Sequence, residues 1–311
     1  MATAELSWEL VSAREMGLLE MVWVRFTRHR LALAGLAVLV ILILLVAFAP
    51  WLAPYQPNYI DRTVPAQYAS GFAPPSAQHP LGTDELNRDT LSRLLHAGRI
   101  SLLVGFLATA LTMAIGITVG AVAGFYGGWV DQILMRLADL VLSLPSLPLL
   151  LIMSAMLHQY RIESLPPDAV QVLTMLVVLV FLGWVESARL MRGSILSLRS
   201  QDFVEAGRAL GASNRRIILQ HLIPNALPPQ IVSATLAVGN FIVVESALSF
   251  LGVGINPPTA SWGNMLTNFS TYMLQSPRMA VYPGLCIFLT VLSINFVGDG
   301  LRDALDPRMK V

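Results

Sequence analysis

Six stretches of this chain are long and apolar enough to cross a lipid bilayer, and no other feature narrows its possible folds so sharply. A bilayer core takes roughly 20 predominantly apolar residues of helix. Leu31–Leu52 and Ile100–Phe125 meet that length without a charged side chain. Ile133–Leu157 meets it with Arg136 and Asp139 near one end and Pro145 and Pro148 inside. Ala169–Val185, Gln230–Leu251 and Val281–Val297 complete the set. Lipid offers backbone N–H and C=O groups no partner, so runs of this kind are predicted to be helices. Only 13% of the 311 residues are charged, where a soluble chain carries about a quarter. The expected fold class is an all-α integral membrane protein with six transmembrane helices.

Orientation follows from counting Lys and Arg in the connecting segments. With the amino terminus inside, the inner side holds 14 of them: Arg14, Arg25, Arg28, Arg30, Arg136, six in the 186–229 loop, and Arg302, Arg308 and Lys310. The outer side holds six, Arg62, Arg88, Arg93, Arg99, Arg161 and Arg278. Both termini are therefore expected in the cytoplasm. The chain then divides into a cytoplasmic arm (1–30), a first span (31–52), an extracytoplasmic segment (53–99), a membrane core (100–300) containing the 186–229 loop, and a cytoplasmic tail (301–311). Net charge is +1, so no global field suggests nucleic acid. The single cysteine, Cys286, excludes an internal disulfide and any cysteine-based metal cluster.

Ala108, Thr112, Gly116, Gly120 and Gly124 recur every fourth residue of the second span. Small residues at that spacing line one helix face and let another backbone approach, whether in this chain or a partner. Asn240 and Glu245 interrupt the fifth span. Polar and ionisable groups at such depth are structural or functional, and both readings stay open for Asn240 and for the ionisable Glu245. Arg136 and Asp139, three apart, are placed to pair with each other. In the 79–99 segment, Leu86, Leu91, Leu94 and Leu95 fall on one face of a short amphipathic helix expected from Asp84 onward. Arg88 and Arg93 are expected on an exposed docking surface there, with the 254–279 loop.

The 186–229 loop is much longer than a connection between two spans requires. Asp202 and Glu205 have the spacing of a capping box. Gly211 is placed to end that helix in the left-handed conformation. Ser213 can cap a second helix through Arg215–Ile223, which Pro224 is expected to stop. Ala206, Gly207, Ala209, Gly211 and Ala212 leave a surface of small side chains that another protein can approach closely.

The stretch EAGRALG…HLIPN resembles the EAA loop of ABC-importer permeases. Glu205, Ala206, Gly211 and Pro224 match its pattern, while Gly207 replaces the second Ala and Ile223 a Leu. HPLGTDELNRDTLSRLL, GFYGGWVD, ESALSFLGVGINPPTASWGNML and GDGLRDALDPR resemble the second permease subunit (DppC/OppC type) of dipeptide and oligopeptide importers. Asn87 stands where a Gly is common. The second permease of nickel importers shares most of these features. The resemblance covers roughly 79–308 and implies the type I importer fold in a bacterial inner membrane. It implies a coupling role for Glu205, Ala206, Gly207, Ala209, Gly211, Ala212, Ser213 and Pro224. It also implies a homologous permease partner, two ABC ATPases carrying the ATP and Mg, an extracytoplasmic substrate-binding protein and surrounding lipid. No cofactor is expected on this chain, which has no G-x-x-x-x-G-K-[ST] motif. An ATP-independent channel would leave the capped loop without a role. An intramembrane hydrolase would need a catalytic pair that the apolar runs lack.

Overall fold

The computed structural model describes residues 18–68, 71–157, 164–267 and 269–305. Arg14, Arg161, Arg308 and Lys310, counted above for orientation, lie outside them. Among the described residues the architecture is helical, and β pairing is confined to isolated bridges between Ile60 and Arg88 and between Thr83 and Asp89. Among the described residues five single helices are long and apolar enough to span a membrane, and one bent helix pair passes the same test together, making six if that pair is one span.

Helix α1 (Leu18–Arg28) leads into α2 (Arg30–Ala47) through His29, whose Nδ1 accepts the Ala32 N–H at 3.0 Å and caps α2. Helix α3 (Thr90–Tyr126) is 37 residues long. Asp89 caps it, accepting from the Ser92 N–H and hydroxyl at 2.7 Å each. The amphipathic helix expected from Asp84 is therefore the first turns of the spanning helix itself. Leu86 sits outside it, 49% exposed in a turn. Gly127 and Gly128, both at positive φ, end α3.

The third expected span is not one helix. Helix α4 (Gly128–Ser143) and helix α5 (Ser146–Leu157) meet at 89°. Leu144 is extended (φ −84°, ψ 139°), because the ring of Pro145 excludes the helical region from the residue before it. Helix α6 (Pro167–Leu198) runs a further 13 residues past Val185, where the fourth span was expected to end. Helix α7 (Asp202–Ala209) follows, and helix α8 (Asn214–Phe250) runs without a stop at Pro224. Residues Ile217–Leu222 form a π turn, in which the Ile223 N–H reaches the Ile218 carbonyl. Pro224 thus falls in the first turn of a new α-helical register, where a missing N–H is tolerated. Helix α9 (Arg278–Leu305) closes the bundle against α2 and α8.

The small-residue seam finds its partner within the chain, since α3 makes its most extensive contact with α6. A Cβ at Gly116 would strike Ser187 and the Trp184 carbonyl, and one at Gly120 would strike the Ala188 carbonyl and Met191. A Cβ at Gly124 would lie 2.9 Å from Ile195 Cβ and 3.0 Å from the Arg192 carbonyl. No larger residue fits without moving one helix.

Candidate functional site

The segment from Arg199 to Pro229 sits where α3, α6 and α8 end together. Val204, 1% exposed, is the only side chain of α7 that is buried. It packs with Phe125, Ile195, Ile217 and Leu222, fastening α7 to three helix ends through one side chain. Arg208 adds a contact of its guanidinium over the Phe125 ring at 5.8 Å. The platform beneath is tied by charge. Arg192 grips Asp131 through Nε and Nη2, at 2.5 and 2.6 Å, and Arg199 donates to the Gly124 carbonyl at 3.0 Å. Asp139 pairs with Arg189 of α6 at 2.6 Å, so the expected local pair with Arg136 does not form.

The capping box is absent. Gln201 occupies the N-cap without a side-chain hydrogen bond, and Asp202 is already the first helical residue. One residue of shift leaves Glu205 exposed and free of any ion pair among the described residues. The expectation for Gly211 holds, with φ at +78°. The Gly211 N–H donates to the Arg208 carbonyl at 2.9 Å and the Ala212 N–H to the Gly207 carbonyl at 3.0 Å, the two bonds of a Schellman turn. Ser213 caps α8, accepting from the Arg216 N–H at 3.4 Å. Gly207 has open space where a Cβ would point, so packing within the chain does not require glycine there.

Ala206 and Ala209 are exposed, while Gly207 and Ala212 are partly covered. Leu210, which sequence reasoning passed over, is 88% exposed at the tip. Pro224 is exposed at the base, beside Asn225, whose Nδ2 donates to the His221 carbonyl at 2.6 Å.

The two polar residues of the fifth span separate cleanly. Asn240 is exposed on α8, on the stripe carrying Leu236 and Val243. Glu245 is wholly buried. Its carboxylate accepts from Ser249 Oγ at 2.8 Å, Ser101 Oγ at 3.0 Å and Ser246 Oγ at 3.4 Å. Ser101 Oγ in turn accepts the Trp262 N–H, and Ser249 Oγ accepts the Ile255 N–H. Glu245 therefore joins α3, α8 and the 251–264 loop through hydrogen bonds.

At the opposite end of α3, Arg88 and Arg93 are buried, at 7% and 4% exposure, and do not present a docking surface. Asp84 Oδ2 takes Arg88 Nε at 2.7 Å and Arg93 Nε at 3.3 Å. His79 lies between Asp61 and Asp89, its ring nitrogens 3.1 and 3.0 Å from their carboxylate oxygens. The Thr63 hydroxyl and N–H, each 2.7 Å from Asp61, hold that carboxyl below the usual carboxylate range, with His79 adding to the effect against burial. Asn87 has φ +58°, which explains why glycine is common at that place and why asparagine serves.

These features define a multi-pass membrane component whose exposed α7 turn lies at one end of a tightly seamed bundle. The chain belongs to the family described as the binding-protein-dependent transport system inner membrane component, matched over residues 116–311. Residues 17–75 match a second model, the N-terminal TM domain of oligopeptide transport permease C. It is thus a transport subunit of the inner membrane and not an enzyme. Among curated relatives, the dipeptide transport system permease protein DppC of Alkalihalophilus pseudofirmus is 39% identical over 91% of this chain and 88% of its own length. The oligopeptide transport system permease protein OppC of Bacillus subtilis is 34% identical, covering 97% and 93%. The glutathione transport system permease protein GsiD of Escherichia coli is 38% identical, covering 93% and 90%. A chain of the inward-facing MetNI methionine ABC transporter shares the fold, with a TM-score of 0.53 at 20% identity, over 69% of this chain and 96% of that one.

Proposed function

We propose that this chain forms half of the translocation pathway of an ATP-driven importer of di- and oligopeptides, beside a homologous permease. Two ATPase subunits, carrying the ATP and Mg, dock on the Arg199–Pro229 segment from the cytoplasm, and a substrate-binding protein delivers solute from the other side. Both termini lie with the ATPases. The observation that carries this reading is the surface of α7 and its turn. Leu210 stands 88% exposed among the small residues Ala206, Ala209 and Gly211. Glu205, Arg215 and Arg216 around it have no ion pair among the described residues. An apolar anchor ringed by small side chains, with Glu205 and Arg215 unpaired and Arg216 bonded only to Gln220, suits insertion into a partner's groove. Because α7 leans on the ends of α3, α6 and α8 through Val204, a push on it reaches three spans at once. A shift of the ATPases would thereby bias the bundle between two states. Asn240 fits a position on the pathway or against the partner permease.

The test is copurification of the ATPases and peptide uptake at matched membrane abundance. Leu210→Glu and Ala209→Trp should each lose most of both. Normal values for both variants would remove the docking assignment. For orientation, Arg215→Cys in a Cys286→Ser background should react with an impermeant maleimide only once the membrane is opened, and labelling of intact cells would reverse it.

A further inference from the structure

At the end of the bundle away from α7, nearly every charge is committed. Arg88, Arg93, Asp61, Asp84, Glu85 and Asp89 all bond one another, His79 or Thr63. Arg99 and Asp168 are, with Arg62, the contrast. Arg99 and Asp168 are both exposed, and neither has an ion pair or side-chain hydrogen bond among the described residues. They line one cavity of about 460 Å³, between the His96–Leu103 stretch of α3, the start of α6, Pro57–Asn58 and the Pro258–Ala260 loop. Pockets of roughly 300–1,000 Å³ hold small molecules. Ile100 and Leu103 of α3 give this one an apolar wall. His96 and Thr259 add polar groups, and the Nδ1 of His96 is already spent on the Ser92 carbonyl at 2.9 Å.

An uncommitted cation on one helix and an uncommitted anion on another, facing one apolar-walled cavity, are complementary to a solute with both charges. We propose that this cavity is a subsite for a small soluble zwitterion, a short peptide with free termini. Arg99 takes its carboxylate, Asp168 its ammonium, and Ile100 and Leu103 pack on its side chains. This rests on the reading of the chain as half of a peptide pathway. It places a weak station on the side where solute arrives, before the spans part. Arg99 can hold a carboxylate through two parallel N–H donors, which gives orientation as well as attraction.

The experiment measures equilibrium binding of alanyl-phenylalanine to the purified permease–ATPase assembly without the binding protein. Arg99→Gln and Asp168→Asn, both at exposed positions that the fold does not use, should each weaken binding about tenfold, the loss of one charge-assisted contact. The blocked peptides assign the roles. Acetylation of the amine should weaken binding to the wild type as Asp168→Asn does, and should cost nothing further in that variant. Amidation of the carboxylate should stand in the same relation to Arg99→Gln. Equal binding by wild type and variants, or equal binding of blocked and free peptides, would overturn the proposal. Displacement of the dipeptide by phosphoethanolamine at lower concentration would overturn it too, by assigning the cavity to a phospholipid headgroup. Failure here, with Leu210→Glu still losing the ATPases, would sink the subsite and leave the transport reading intact.

Discussion

The 53–99 segment and the 199–229 segment are both polar interruptions of an apolar chain, yet they spend their polar groups in opposite ways. In the first, Asp84 alone accepts four contacts, from the N–H groups of Leu86 and Arg88 and from the guanidinium groups of Arg88 and Arg93. His79 joins Asp61 to Asp89, and Arg278 reaches from α9 to the carbonyls of Phe72 and Ala73 at 2.7 and 2.8 Å. In the second, a buried valine and the Arg208–Phe125 contact hold a short helix, while Glu205, Arg215 and Leu210 point outward. A segment whose buried charges are satisfied internally, with only Arg62 and Arg99 left at its surface, is built to hold shape. A segment that leaves Leu210, Glu205 and Arg215 unsatisfied is built for a partner.

The largest effect that can break this comparison is at Asp84. Removing one member of a buried ion network strands the remaining charges and typically costs about 3–5 kcal/mol. Asp84→Ala should lower the thermal midpoint of the purified assembly steeply and open the 53–89 segment to protease. A variant as stable as the wild type would mean that the network is ornamental.

Gly211→Val comes next and acts on the other segment. At φ +78° a β-branched side chain is strained by about 1–2 kcal/mol. Space is not the obstacle, because nothing lies within 4 Å of where the Cβ would be. The variant should stay inserted and paired with the other permease while losing ATPase copurification and uptake. Loss of stability in place of coupling would make the turn structural, like the 53–99 segment.

The smallest effect is a pH dependence, and it sharpens the contrast. The folded carboxyl of Asp61 lies below its unfolded value, near 3.9. Its contribution is therefore present above about pH 4 and is lost as pH falls through the folded value. Asp61→Asn should be less stable than the wild type at neutral pH by a margin that shrinks below about pH 4. A margin that does not change with pH, followed by thermal unfolding, would show that ionisation of Asp61 is irrelevant to the segment.

The apolar runs by themselves determined that the chain is a helical membrane protein and roughly where its spans lie, because lipid leaves backbone groups no other way to be bonded. Local chemistry determined the left-handed turn at Gly211 and the cap at Ser213, since both depend on neighbours within a few residues. The glycine seam was legible as a contact surface, but only the tertiary structure supplied its partner, α6. The same holds for Arg192 with Asp131, Arg189 with Asp139 and Ser101 with Glu245, groups 61, 50 and 144 residues apart. No local pattern encodes such pairings, so Arg88 and Arg93, which read as surface charges, turned out to be buried. The two prolines had different outcomes. Pro145 drives Leu144 out of the helical region between α4 and α5, whereas Pro224 did not stop a helix because the π turn before it reset the hydrogen-bond register.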